Sequence, residues 1–506
     1  MKACLMHHDR DFELLPALAP YQSDVRGDLE LDTLLDAMAG DDELICNVAL
    51  SALMDSLGND GGTILYRQAI LRDAMRNPAV TRDLYRLAGV ALEGKRKHYF
   101  GVFMNYPSGI LHGSMELMQM LLEVLKAVRQ IADLHLGAFS SAGFSSLLAM
   151  LQAEFGDAYF DEIEHHLSVL KLKSGVLESA RLGQGNDGTG YVLRLPRDTR
   201  PAWLARLLRR GPPAYTFRIA DRDETGARAL SQLRDQGLNL VANALAQSTE
   251  HILNFFEMLR TELAFYVGCL NLRERLAALG APLAFPVPGE AGRHAQRFDG
   301  LYDPCLALQM GRSVVGNTVD VGSRALVMIT GANQGGKSSF LRSIGLAQLM
   351  MQSGMFVAAN AFTADLCSSV FTHYKREEDN TMTSGKFDEE LRRMSRIVDA
   401  IRPNAMVLFN ESFASTNERE GSEVARQVVK ALLSHDIKVY FVTHLYDFAH
   451  GIATSLSDAA LFLRAERRPD GSRTFRLVLA EPLDTSYGED LYREVFLVDG
   501  VNSGQG

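Results

Sequence analysis

The sequence lacks most of the features that would take it out of the ordinary globular class. It has 5 cysteines in 506 residues and no C-x-x-C pair. Cys4, Cys46, Cys269, Cys305 and Cys367 are scattered, which argues against a zinc site and against a disulfide framework. No run of about 18 uncharged apolar residues occurs, so no membrane span is expected. The opening stretch MKACLMHHDRDFELLP has no apolar core long enough for a signal peptide. A reducing cytoplasm is the simplest home these absences allow. Positive charge is scarce too: 52 Lys and Arg stand against 62 Asp and Glu, for a net charge of −10. Nucleic-acid binding would therefore need a local basic stripe. Two clusters, Lys95–His98 and Arg206 with Arg209 and Arg210, read more readily as solvated helix faces or turns. Internal repeats and low-complexity tracts are absent. What remains, 47% hydrophobic and 23% charged, is the composition of a soluble globular protein of roughly two to four domains.

The first 280 residues read mostly as helix. Leu29–Met38 is amphipathic, and Asp41 and Asp42 are placed to cap a helix through Ile45, Val48, Ala49, Ala52, Leu53 and Leu57. Gly58–Gly62 breaks it, and further helical stretches cover about 63–93 and 112–173. Near Lys173 the pattern changes. Gly183–Gly190 has loop chemistry, while Tyr191–Leu195 and Tyr215–Ile219 read as strands. This β-bearing insert, about 174–222, precedes a long helical pattern from Asp223 to Leu279, and together they suggest a projecting arm. Pro282, Pro286 and Pro288 mark 281–297 as a linker and the main domain boundary.

From residue 298 short apolar runs alternate with helices. Arg324–Thr330, Ala405–Phe409, Val439–Thr443 and Ala459–Leu463 predict an α/β layer with a largely parallel sheet. A phosphate site then belongs at the C-terminal edge of the strands. The most specific signal sits there: Gly331–Ser338 (GANQGGKS) matches the P-loop pattern G-x-x-x-x-G-K-[ST], between a strand and a helix beginning at Lys337. Gly331, Gly335 and Gly336 let backbone N–H groups turn toward an anion, and the helix N-terminus adds a positive dipole end. Lys337 would reach the β- and γ-phosphates of ATP, Ser338 would hold Mg²⁺, and Ser339 lies in the same first turn.

Asn410-Glu411 closes the second strand. Glu411 is the candidate for polarising an attacking water, and Asn410 stands where a carboxylate normally supports Mg²⁺. An amide offers a lone pair without charge, so metal affinity should be lower. His444, ending the next strand, could donate a hydrogen bond that reports the γ-phosphate. Ser384-Gly385 opens a helix to about Arg402. It is either a plain N-cap or a helix N-terminus aimed at a neighbouring subunit's γ-phosphate.

These residues resemble the ATPase domain of the MutS family of DNA mismatch-repair proteins. Thr330–Ser338 is similar to the family's T-G-P-N-M-G-G-K-S, and the resemblance assigns Asn333 a part in holding phosphate. Gly354–Ala359 resembles its G-x-F-V-P-A, Phe371-Thr372 its F-T-R-I-G strand, and Thr443-His444 its A-T-H segment. Asn410–Gly421 aligns without gaps on D-E-x-G-R-G-T-S-T-x-D-G, with identity at Glu411, Thr416 and Gly421. Leu29–Met38 and Ile64–Leu71 look like the family's core and lever helices, and the β insert occupies the place of its clamp.

The resemblance implies a multidomain chain. A mostly α-helical core and lever region (1–280), with a clamp-like β insert, precedes an ABC-type α/β P-loop ATPase domain (298–506). It further implies a homodimer with composite ATP sites whose arms close around double-stranded DNA, in mismatch repair or recombination. Asn410 replaces the Walker B aspartate, and Gly385 falls where the family's trans serine stands. Direct mismatch reading is not expected: there is no room for that domain ahead of residue 29, and Phe160-Asp-Glu162 lies in an apparent helix. No Smr-type nuclease domain is expected after residue 496. A rival reading is a nucleotide-gated protein–protein scaffold that hydrolyses little and touches no DNA.

Overall fold

The computed structural model describes residues 1–99, 106–173, 175–195, 216, 218–220, 222–376, 385–456, 459–468 and 470–483. In chain order the N-terminal helices are α1 (Pro20–Asp28), α2 (Leu31–Ala39), α3 (Glu43–Met54), α4 (Gly61–Arg76), α5 (Pro78–Tyr99), α6 (Pro107–His135), α7 (Ala142–Glu154) and α8 (Asp157–Leu170). A hairpin of β1 (Glu178–Leu182) and β2 (Gly188–Leu193) follows, then α9 (Glu224–Ala278). As the sequence predicts, Asp42 caps α3, its carboxylate accepting from Leu44 N at 3.0 Å. The helix expected over Leu29–Met38 is α2, which begins two residues later because Glu30, with a left-handed φ of 52°, separates it from α1. β1, which no alternation announced, pairs antiparallel with β2. Of the strand expected at 215–219, Thr216, Arg218 and Ile219 are not in a strand, and positions 215 and 217 lie outside the described residues.

The chain packs as two compact units. One comprises 1–3, 82–139 and 145–260; the other comprises 4–81, 140–144 and 261–506. Among the described residues, the first unit is mainly helical and its strands are those of the β1–β2 hairpin. Leu117, Leu121, Leu125 and Val128 are buried along one stripe of α6, at the spacing of an amphipathic helix. Lys95 of α5 pairs with Glu250 of α9 at 2.9 Å.

The second unit is α/β. Its further elements are β3 (Val287–Gly289), β4 (Gln296–Leu301), α10 (Pro304–Met310), β5 (Asn317–Gly322), β6 (Leu326–Gly331), α11 (Lys337–Gln352), β7 (Ala361–Asp365) and β8 (Val370–Tyr374). After these come α12 (Lys386–Ala400), β9 (Met406–Asn410), α13 (Glu418–Leu433), β10 (Lys438–Val442), α14 (Tyr446–Ser455), β11 (Ala460–Arg467) and β12 (Arg473–Leu479). A six-stranded sheet runs β12-β11-β6-β10-β9-β8. It is parallel except at the β12 edge. Its central strands are buried on both faces, which is why they read as unbroken apolar runs. One face (Leu326, Met328, Val407, Phe409, Val439, Phe441) packs on Ala425 and Val429 of α13 and Phe448 and Ile452 of α14. The other meets α11, where a Cβ on Gly345 would come within 2.7 Å of Leu408. The Pro-rich segment expected as a linker contributes β3 to a second sheet, ordered β3-β7-β4-β5. Among the described residues no helix is long and apolar enough to cross a membrane.

Candidate functional site

The loop between β6 and α11 is shaped for glycine. Gly331 has φ 106° and Gly336 φ 85°, both left-handed. A Cβ on Gly331 would lie 2.8 Å from Ala465 N, and one on Gly335 would lie 2.6 Å from Ala465 Cβ. β11 thus presses against the loop from outside. Within the loop, Lys337 Nζ donates to Gly331 O at 3.1 Å and Ala332 O at 2.9 Å. Lys337 is buried, and that burial lowers its ammonium to about 8, with Glu411 opposing and Arg473 reinforcing the shift. A buried cation at a helix N-terminus favours an anionic ligand, which would restore its charge.

β9 delivers the polar end of the site. It is not adjacent to β6, since β10 lies between them. Even so, Ser338 Oγ donates to Asn410 Oδ1 at 3.0 Å. Glu411, with a left-handed φ of 54°, turns its carboxylate to 3.1 Å from His444 Nε2. Contact with the His444 ring holds the Glu411 carboxyl below its usual range against the opposing effect of burial, and Lys337 and Lys375 act in the same direction as His444. So Lys337, Ser338, Asn410, Glu411 and His444 gather at the C-terminal edge of the parallel strands. That is where α/β sheets bind ligands.

A cavity of about 750 Å³ opens from this edge. Asn333, Gly335, Gly336, Lys337, Ser338, Ser339 and Glu411 line one end, and Met310, Val314, Val315 and Phe475 line an apolar portion. The donor set suits a magnesium nucleotide: a hydroxyl and an amide oxygen for a hard cation, a cation for phosphate, and an apolar wall for a base. Gly385 caps α12 but is not among the cavity-lining residues, and a Cβ there would meet nothing within 4 Å. Ser384 lies outside the described residues.

Sequence reasoning missed three contributors. Arg473 of β12 donates to Asn333 O at 3.2 Å and adds positive charge over the loop. Phe475 joins the cavity wall from the same strand, and Lys375, which follows β8 and donates its backbone N–H to Asn410 O at 2.9 Å, adds positive charge that favours the Glu411 carboxylate. No motif surrounds any of them, because the antiparallel edge and the end of β8 reach the site only through strand order.

Comparison with known proteins agrees with this architecture. A model described as the MutS2 N-terminal domain matches residues 59–279, and one described as MutS domain V matches 327–498. The DNA mismatch repair protein MutS of Streptococcus mutans is 26% identical over 294 residues, covering 54% of this chain and 34% of that protein. The DNA mismatch repair protein MutS 2 of Haloarcula marismortui is 33% identical over 190 residues, covering 37% and 20%. Endonuclease MutS2 of Thermus thermophilus is 29% identical over 238 residues, covering 46% and 30%. The chain therefore spans about a third or less of the length of these curated relatives. With two such models matched in chain order, one on the helical part and one on the sheet that carries the glycine loop, the chain belongs to the MutS family.

Proposed function

We propose that this chain is an ATPase that works as a dimeric, ATP-driven clamp on double-stranded DNA, in mismatch repair or recombination. The observation that carries the ATPase reading is the contact between Ser338 and Asn410, 72 positions apart, made beside the glycine cradle and next to Glu411. Ser338 and Asn410 would hold Mg²⁺, which would supply neutralisation of the phosphate charge. Lys337 exchanges its loop carbonyls for phosphate oxygens. Glu411 accepts a hydrogen bond from the attacking water and orients it in line. His444 fixes the Glu411 carboxylate and stands ready to donate toward the terminal phosphate. Backbone amides of Lys337, Ser338 and Ser339, in the first turn of α11, face the anion. The wall of Met310, Val315 and Phe475 takes the base. Composite sites completed by Ser384 and Gly385 of a second copy, a helical region over 1–280 and an ATPase domain over 298–506, and a cytoplasmic location complete the reading.

The test is direct. Lys337→Ala should abolish nucleotide binding by calorimetry, while Glu411→Ala should bind nucleotide and fail to hydrolyse it; unchanged turnover in either removes that residue from the mechanism. The rival, a nucleotide-gated scaffold without DNA contact, is favoured by the uncharged Asn410. A fluorescent duplex separates the two. A clamp on DNA gives ATP-dependent affinity whose logarithm falls linearly with log salt, and a scaffold gives none.

A further inference from the structure

Glu411 begins a backbone that ordinary residues avoid. Both Glu411 and Phe413 are left-handed, at φ 54° and 63°. Such residues are strained and persist only where their surroundings impose the conformation. The surroundings here come from α12 and β8. Glu390 of α12, buried, spans the loop: Oε2 accepts from Phe413 N and Oε1 from Ser415 Oγ, each at 2.9 Å. Its backbone carbonyl lies 3.0 Å from His373 Nε2. A carbonyl can only accept, so Nε2 carries the proton; Ser412 Oγ lies 2.7 Å from Nδ1 and donates to His373 O. Burial keeps the ring neutral, lowering it to about 4, which agrees with this tautomer. On the far side Gly421 leaves room for Phe413 O, only 2.3 Å from where a Cβ would stand.

We infer that Glu390 is a positioning residue for hydrolysis. By holding Phe413 and Ser415 it sets the direction of the Glu411 carboxylate and ties it to the position of α12. The inference rests on the ATPase reading above. It deepens that reading by making α12 a control element of the site, so that any displacement of α12 would move the group that orients water and leave the phosphate cradle intact.

The test compares turnover in the full chain for Glu390→Ala, Glu390→Gln, Glu411→Ala and the double variant Glu390→Ala/Glu411→Ala, with nucleotide affinity measured by calorimetry. Glu390→Ala should lower kcat by about ten- to hundredfold, the scale of a misplaced catalytic group, with KM and affinity unchanged. Glu390→Gln should restore most of the rate, because its amide oxygen can accept from Phe413 N while its NH₂ donates to Ser415 Oγ. The double variant should be no slower than Glu411→Ala alone. An independent, multiplicative loss in the double variant, or equal losses in kcat and affinity, would overturn the positioning role. Normal turnover in Glu390→Ala beside a dead Glu411→Ala would also overturn it and would leave the ATPase reading standing. Wild-type turnover in Glu411→Ala would sink both. If Glu390→Ala fails to fold, Ser415→Ala decides beside Glu390→Gln: Ser415→Ala must lower kcat without shifting affinity while Glu390→Gln keeps most of the rate, and an unchanged kcat in Ser415→Ala would overturn the role.

Discussion

At the scale of single residues, the site shows how much one atom can change. Asn410 presents an amide oxygen to Ser338 in the position where a carboxylate would bring a full charge. Hydrogen bonds and ligand contacts involving an ionised group are roughly twice as strong as neutral ones. Asn410→Asp should therefore lower the magnesium concentration needed for half-maximal turnover, by about tenfold. A magnesium titration at fixed ATP checks this, and an unchanged midpoint would place the side chain outside the metal shell. Gly331, Gly335, Gly336, Lys337 and Ser338 were legible because their spacing states a backbone geometry. Arg473, Lys375 and Phe475 were not, because nothing in their neighbours in sequence distinguishes them from surface residues.

At the scale of elements, amphipathic period and capping chemistry predicted what they physically control. The pattern from Asp223 to Leu279 corresponds to α9, and the four apolar runs correspond to β6, β9, β10 and β11. β1 escaped because its residues are half-buried to exposed and show no alternation. Helix caps are testable at this scale. Asn417 caps α13, its side chain accepting from Glu420 N at 3.0 Å. Asn417→Ala should cost about 1 kcal/mol, read as a lowered urea midpoint with unchanged slope. Because α13 packs on the strands that carry Met328, Val407 and Val439, the loss should appear as stability and not as altered nucleotide affinity.

At the scale of the whole molecule, the segment ahead of both family matches is sewn into the α/β unit. Glu262 of α9 accepts from Leu5 N at 2.5 Å, Met6 N at 3.3 Å and Phe12 N at 3.1 Å. Tyr266 and Tyr66 donate to Leu5 O and Cys4 O, and buried Arg67 donates to Met6 O and to Ser353 O beyond the end of α11. Burial raises Glu262 to about 7 in spite of those three amides. A carboxyl that holds its proton more tightly folded than unfolded stabilises the fold most below pH 4.5 or so, and that stability is lost as pH rises through 7. Melting temperature should therefore fall between about pH 5 and 8, and Glu262→Gln, which cannot titrate, should flatten the profile. A slope that is the same in both proteins would remove Glu262 as its source. The sequence alone determined the helical and strand periods, the glycine loop and the family, because each is a local pattern of spacing. Tertiary structure alone decided that β10 would separate β6 from β9, that Arg473 would lie across the loop, and that α12 would hold the turn after Glu411. Those are consequences of strand order and packing, which join residues that no local pattern connects.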